Sequence, residues 1–148
     1  MDADLFASPR WIRLVWSMIG GAGLAVLAIA RWLTPDPSGM GTHEQLGLPP
    51  CGFLYLTKLP CPTCGLTTSF AHMARLQFTP AWHAHWLGPP LFALTAVTIA
   101  VSAWACATRA PPAHIMKRLR VARVLVIIAA AALAVWMVRV AAIVLGRS

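Results

Sequence analysis

Three long runs of apolar residues without a charge set the layout of this chain. The first runs from Leu14 to Ala30, between Arg10, Arg13 and Arg31, with Trp11, Trp16 and Trp32 near its ends. The second, Trp86 to Ala107, opens on Gly88-Pro89-Pro90, residues that suit the start of a helix better than its middle. The third begins at Val124 and is rich in Ala, Val, Leu and Ile; Arg139 can reach out of it to the far interface while the apolar run continues to Leu145. At ~1.5 Å per residue each is long enough to cross a hydrocarbon core. The pattern predicts an all-α membrane protein of one domain, with transmembrane helices over 11–33, 86–108 and 124–145. Arg31 and Trp32 stand where a small-residue cleavage site would be needed, so the first span reads as a retained anchor.

The segment 34–85 changes character three times. "TPDPSGMGTHEQLGLPP" is dense in proline and glycine, which predicts an ordered or semi-ordered loop without regular elements. "CGFLYLTKLPCPTCG" is apolar for a loop, and its Phe53, Leu54, Tyr55, Leu56 and Leu59 belong at the headgroup boundary or against the helices. "LTTSFAHMARLQF" places Leu66, Phe70, Met73 and Ala74 on one stripe, which predicts a short interfacial or re-entrant helix over 65–79, ended by Pro80. Together these pieces form a cap on the membrane helices.

Composition agrees with that reading, since 59% of the 148 residues are hydrophobic and 11% charged. The net charge of +8 is a matter of topology and excludes no membrane reading; nucleic acid is not expected as a partner. The link 109–123 holds Arg109, Lys117, Arg118, Arg120 and Arg123 and no acid, whereas 34–85 balances Lys58 and Arg75 against Asp36 and Glu44. The positive-inside rule then puts the basic link and the N-terminus in the cytoplasm and the cysteine-bearing cap on the outer face. With Asp2, Asp4, Asp36 and Glu44 the only acids, hydrolytic or phosphoryl-transfer chemistry has no visible apparatus.

The chemistry-bearing residues are cysteines. Cys51, Cys61 and Cys64 lie in the cap; Cys106, at the other end of the second span, reads as a small buried apolar residue. Three chemistries fit the trio. Cys-Pro-x-Cys-Gly has the shape of a metal knuckle, for which Cys51 and His43 or His72 would complete a zinc or haem-related site. An oxidising compartment favours a disulfide. Cys-x-x-Cys at a helix start also suits thiol-disulfide exchange through Cys61 and Cys64, as in small membrane oxidoreductases that pass electrons to a quinone. His83 and His85, in "WHAHW", read as an interfacial aromatic belt with Trp82 and Trp86. Thr67 and Thr68 are expected to satisfy backbone groups in the first turn after Gly65.

The order "GTHEQLGLPPC", "LPCPTCGLTTSFAH" and an apolar helix opened by Gly-Pro resembles the small bacterial membrane proteins grouped as domain of unknown function 2752, over about residues 34 to 100. The resemblance implies an inner-membrane protein with Cys51, Cys61, Pro62, Cys64, Gly65 and Thr67 as motif positions. Many relatives carry Arg where this chain has Thr68. It implies no established reaction. The expected role is that of an accessory subunit or assembly factor of a larger membrane complex, with the Cys61/Cys64 oxidoreductase and metal or haem handling as alternatives.

Overall fold

The computed structural model describes residues 8–111 and 121–146. Lys117, Arg118 and Arg120 of the basic link, Asp2 and Asp4, and the Arg139 side chain lie outside the described residues. Among the described residues six helices follow in order: α1 Pro9–Trp32, α2 Gly52–Thr57, α3 Leu66–Met73, α4 Phe78–Ala84, α5 Gly88–Thr108 and α6 Val121–Leu145, with a 3-10 turn at Thr42–Leu46. Three of them, α1, α5 and α6, are long and apolar enough to cross a membrane. The three predicted spans are therefore present, within a few residues of their expected bounds.

α1 starts where Ser8 caps it, its hydroxyl accepting the Trp11 N–H at 3.2 Å, with Pro9 at the first helical position. It packs along α5 through small residues. A Cβ on Gly20 would sit 3.2 Å from Ser102 Cβ, and one on Gly23 would sit 2.8 Å from Ile99. Larger residues would push the two backbones apart, which is the usual reason for small residues between apolar helices. At the end away from the cap, Ile12, Trp16 and Ala105 form a buried cluster with Cys106 beside it. Trp16 packs inside this cluster, and its indole N–H donates to the Ala110 carbonyl at 2.7 Å. Trp32 and Trp104, by contrast, are exposed near opposite ends of this helix pair, as a belt requires.

The proline-glycine loop is ordered by its own side chains and, beyond the expectation, carries one regular element, the 3-10 turn. In the proline-glycine loop Gln45 brackets Thr34, accepting its N–H at 3.0 Å and donating to its carbonyl at 2.6 Å. The Asp36 carboxylate accepts the Ser38 N–H, and Thr42 Oγ1 accepts the Asp36 N–H. "GFLYLT" forms the short helix α2, where only an apolar loop was expected.

The single helix expected over 65–79 is two. α3 stops at Met73, Leu76 takes a positive φ of 59°, and the chain folds back into α4. Pro80 does not end a helix; it sits in the first turn of α4, where its missing N–H has no intrahelical partner to lose. The fold-back buries Ala81 and Ala84, and Ser69 on α3 donates to the Ala81 carbonyl at 2.7 Å.

Arg75 follows α3 and reaches three carbonyls: Ala71 at 2.8 Å, and Ala30 and Arg31 at the end of α1 at 3.3 and 2.9 Å. It caps two helix ends with one cation, which both orphan carbonyls and the helix dipole favour. Arg75→Met keeps the apolar stem and removes the donors. It should lower stability by about 2 kcal/mol, read from a denaturing-detergent titration in mixed micelles; an unmoved midpoint would show that other groups satisfy these carbonyls.

α6 stands apart, and no other described helix packs along it. Trp136 ties it to the cap, its indole N–H donating to the Pro60 carbonyl at 2.8 Å and its ring meeting Phe53 edge-on at 6.2 Å.

Candidate functional site: a three-thiol cavity

The Cys61–Cys64 segment is two tight turns in succession, with Cys64 N–H donating to the Cys61 carbonyl at 3.1 Å and Leu66 N–H to the Thr63 carbonyl at 3.0 Å. Gly65 then turns the chain into α3 with φ of 91°, a conformation glycine adopts freely. The turn folds Cys64 back so that its sulfur accepts the Cys61 N–H at 3.2 Å and lies 2.7 Å from the Cys61 sulfur. Cys51, at the start of α2, completes the group: the three sulfurs lie within 4.8 Å of one another. Nine residues of intervening chain are looped out to bring this about.

Two thiols of this pair differ in environment. Cys64 is buried and Cys61 half-buried. Burial, then the neighbouring Cys61 sulfur, pushes the Cys64 thiol up to about 12. At Cys61 burial opposes ionisation, but hydrogen bonds from the Cys64 thiol and from Thr63 outweigh it and hold the thiol below the ordinary cysteine range. Of the pair, Cys61, on the accessible side, is therefore the thiol that ionises first. Site-resolved alkylation with iodoacetamide, followed by mass spectrometry against pH, should label Cys61 at pH values where a free cysteine is still protonated. Cys64 should stay unlabelled until the pH approaches 12; equal rates at the two would refute the asymmetry.

The trio opens on a cavity of about 580 Å³, walled also by His43, Lys58 and Tyr55. His43 thus shares the cavity with the thiols without belonging to the close cluster. His72 is placed elsewhere: its Nδ1 lies 2.7 Å from the Gln77 amide oxygen, and it lines a separate hollow with Asp36 and His83. Cys106 lies near Ser17 at the opposite end of α5, as expected of a packing residue.

Several residues shape the site in roles other than those expected of them. His85 is 3% exposed. Its Nδ1 accepts the Leu87 N–H at 3.2 Å, so the other ring nitrogen carries the hydrogen and Nε2 donates to the Pro62 carbonyl at 3.1 Å. The histidine read as part of an aromatic belt instead holds the turn between the two cysteines, across 23 positions of chain. Thr68 is 1% exposed and meets Thr42 Oγ1 at 2.8 Å, so it joins the proline-glycine loop to α3 where a purely local backbone role was expected. Behind the site, Gly88 faces Ser69 with no room for a Cβ, which seats α3 on the start of α5.

No curated protein and no solved structure matches this chain. Residues 51–99, about one third of the chain, run from the first cysteine of the trio through α3 and α4 into α5, and they match the family model described as protein of unknown function DUF2752, the family expected from the sequence.

Proposed function

We propose that this is a small membrane protein that exchanges thiols and disulfides through Cys61 and Cys64, with the cap on the outer face of a bacterial inner membrane and the N-terminus in the cytoplasm. One observation carries the reading: two sulfurs 2.7 Å apart, one accessible to a cavity and one buried, with a third thiol beside them. The Cys61 thiolate is the attacking sulfur. It bonds to one sulfur of a substrate disulfide and releases the other as a thiolate; Cys64, giving up its proton, then displaces the bound sulfur and closes the Cys61–Cys64 disulfide. Two electrons pass to the substrate, and the reverse sequence oxidises a substrate dithiol.

The test is a thiol count. Oxidising the protein in its own membranes with glutathione disulfide should remove two thiols, at Cys61 and Cys64, from those alkylated after denaturation, and a dithiol reductant should restore them. A pair that neither oxidises nor recovers would rule the reading out.

A second reading rests on the convergence of three thiols, which is enough to hold a thiophilic metal ion, zinc among them, with His43 in the same cavity as a candidate for a fourth ligand. Purified protein would then carry about one equivalent of metal. Either chemistry fits an accessory subunit of a larger assembly, and the support for that placement is that no other described helix packs along α6.

A further inference from the structure

The dithiol reading leaves open where two electrons go when Cys61 and Cys64 close into a disulfide. Next to the thiol cavity lies a second hollow of about 300 Å³, between the last turns of α1 and the first turn of α3. Its walls are Val26, Ile29, Ala30, Leu33, Leu66, Thr67 and Phe70, almost wholly apolar. Val26 and Ile29 are 45% and 42% exposed on a helix long enough to cross a membrane, so the hollow opens toward the lipid side of α1. Leu66 and Thr67 line both hollows. The first turn of α3 is therefore a common wall between a redox-capable thiol cavity and an apolar groove in the membrane part of the molecule.

We propose that the two hollows together bind a membrane quinone, its ring in the thiol cavity against Cys61 and its apolar tail in the groove between α1 and α3. The proposal rests on the thiol-exchange reading and names the acceptor. An amphipathic two-electron acceptor is the occupant that uses both hollows: an acyl chain fills only the groove, and a soluble disulfide only the cavity. The Cys61 thiolate bonds to a ring carbon of the quinone, which takes up one proton. Cys64 then forms the S–S bond with Cys61 as the carbon–sulfur bond breaks; the ring leaves with the electron pair and takes the Cys64 proton. One thiolate, one thiol, one quinone and one proton become one disulfide and one quinol.

The experiment uses the full chain, reduced and reconstituted in phospholipid nanodiscs, with decyl-substituted benzoquinone and the same ring without the chain as probes. Quinol formation is followed by absorbance and thiol loss by mass spectrometry. One quinol should form for every two thiols lost, and the tailed probe should be used at lower concentration than the tailless one. Val26→Trp and Ile29→Trp narrow the groove from its exposed rim. Each should raise the half-saturating concentration of the tailed quinone about tenfold and leave both the tailless quinone and glutathione disulfide unaffected.

A protein that exchanges with glutathione disulfide but makes no quinol overturns the quinone proposal and leaves thiol exchange standing. Equal use of the two quinones, with the groove variants silent, leaves the groove to acyl chains and overturns the tail site. No reaction with either class of oxidant removes both readings together.

Discussion

Gly65→Ala should dismantle the cap while α1 and α5 persist. The residue sits at φ 91°, where an alanine is strained by about 1–2 kcal/mol. The larger effect is contact. A Cβ there would run into the Ala84 carbonyl oxygen and lie 3.0 Å from the Gly39 carbonyl oxygen. Both neighbours are backbone, so neither can rotate away; α4 or the loop at Gly39 has to move, at about 1–3 kcal/mol more. Displacing Ala84 also displaces His85, which holds Pro62 between the cysteines. The expected result is a loss of about 3 kcal/mol or more, with Cys64 becoming alkylatable at neutral pH and most helical circular dichroism retained. Gly39→Ala is the internal control. Its φ is 77° but nothing lies within 4 Å of the added atom, so it should show the backbone strain alone. Equal effects for the two substitutions would mean that close approach at Gly65 is not what shapes the site.

Cys64→Ser should hand the resolving step to Cys51, and removing both thiols should turn the exchange site into a trap. In the intact pair the adduct on Cys61 is resolved by Cys64, whose sulfur is 2.7 Å away. With serine there, the remaining resolving thiol is Cys51, inside the same 4.8 Å cluster. The single variant treated with an aromatic disulfide should therefore end as a Cys61–Cys51 disulfide after releasing both aromatic thiols. The Cys51→Ser/Cys64→Ser double variant should hold one aromatic thiol on Cys61 until an external thiol removes it. Cys61→Ser should lose the exchange altogether, because burial and the raised proton affinity of Cys64 leave no accessible thiolate in the pair. Intact-protein mass spectrometry distinguishes these products. Adducts forming on Cys64 or Cys51 ahead of Cys61 would reverse the assigned roles.

These expectations draw on different depths of information. The Cys-x-x-Cys turn was legible from its own residues, since Pro62 and Gly65 bias the backbone locally and the pair is only three positions apart. That Cys51 joins it was a candidate assignment, one of several. Of the two histidines named as candidates for their nearness in sequence to cysteines, His43 shares the thiol cavity and His72 faces Gln77. His85 lay outside every motif and touches the turn directly. Likewise Pro80 read as a stop, because proline closes a helix before it and opens one after it with equal ease, and only the packing of Ala81 and Ala84 on α3 selects the second.

The sequence by itself determined the three membrane-length helices and the turn that carries the cysteine pair. Both follow from forces acting on contiguous residues: transfer of an uncharged apolar run out of water, and backbone preference at proline and glycine. Only the tertiary structure decided which distant residues meet. Cys51 beside the pair, Thr42 on Thr68, Arg75 on the end of α1, His85 under Pro62 and Trp136 on Pro60 are contacts over 10 to 76 positions. Such contacts exist because small residues let α1, α3 and α5 approach closely and because buried polar groups must find partners, and neither condition is written in any single stretch of chain.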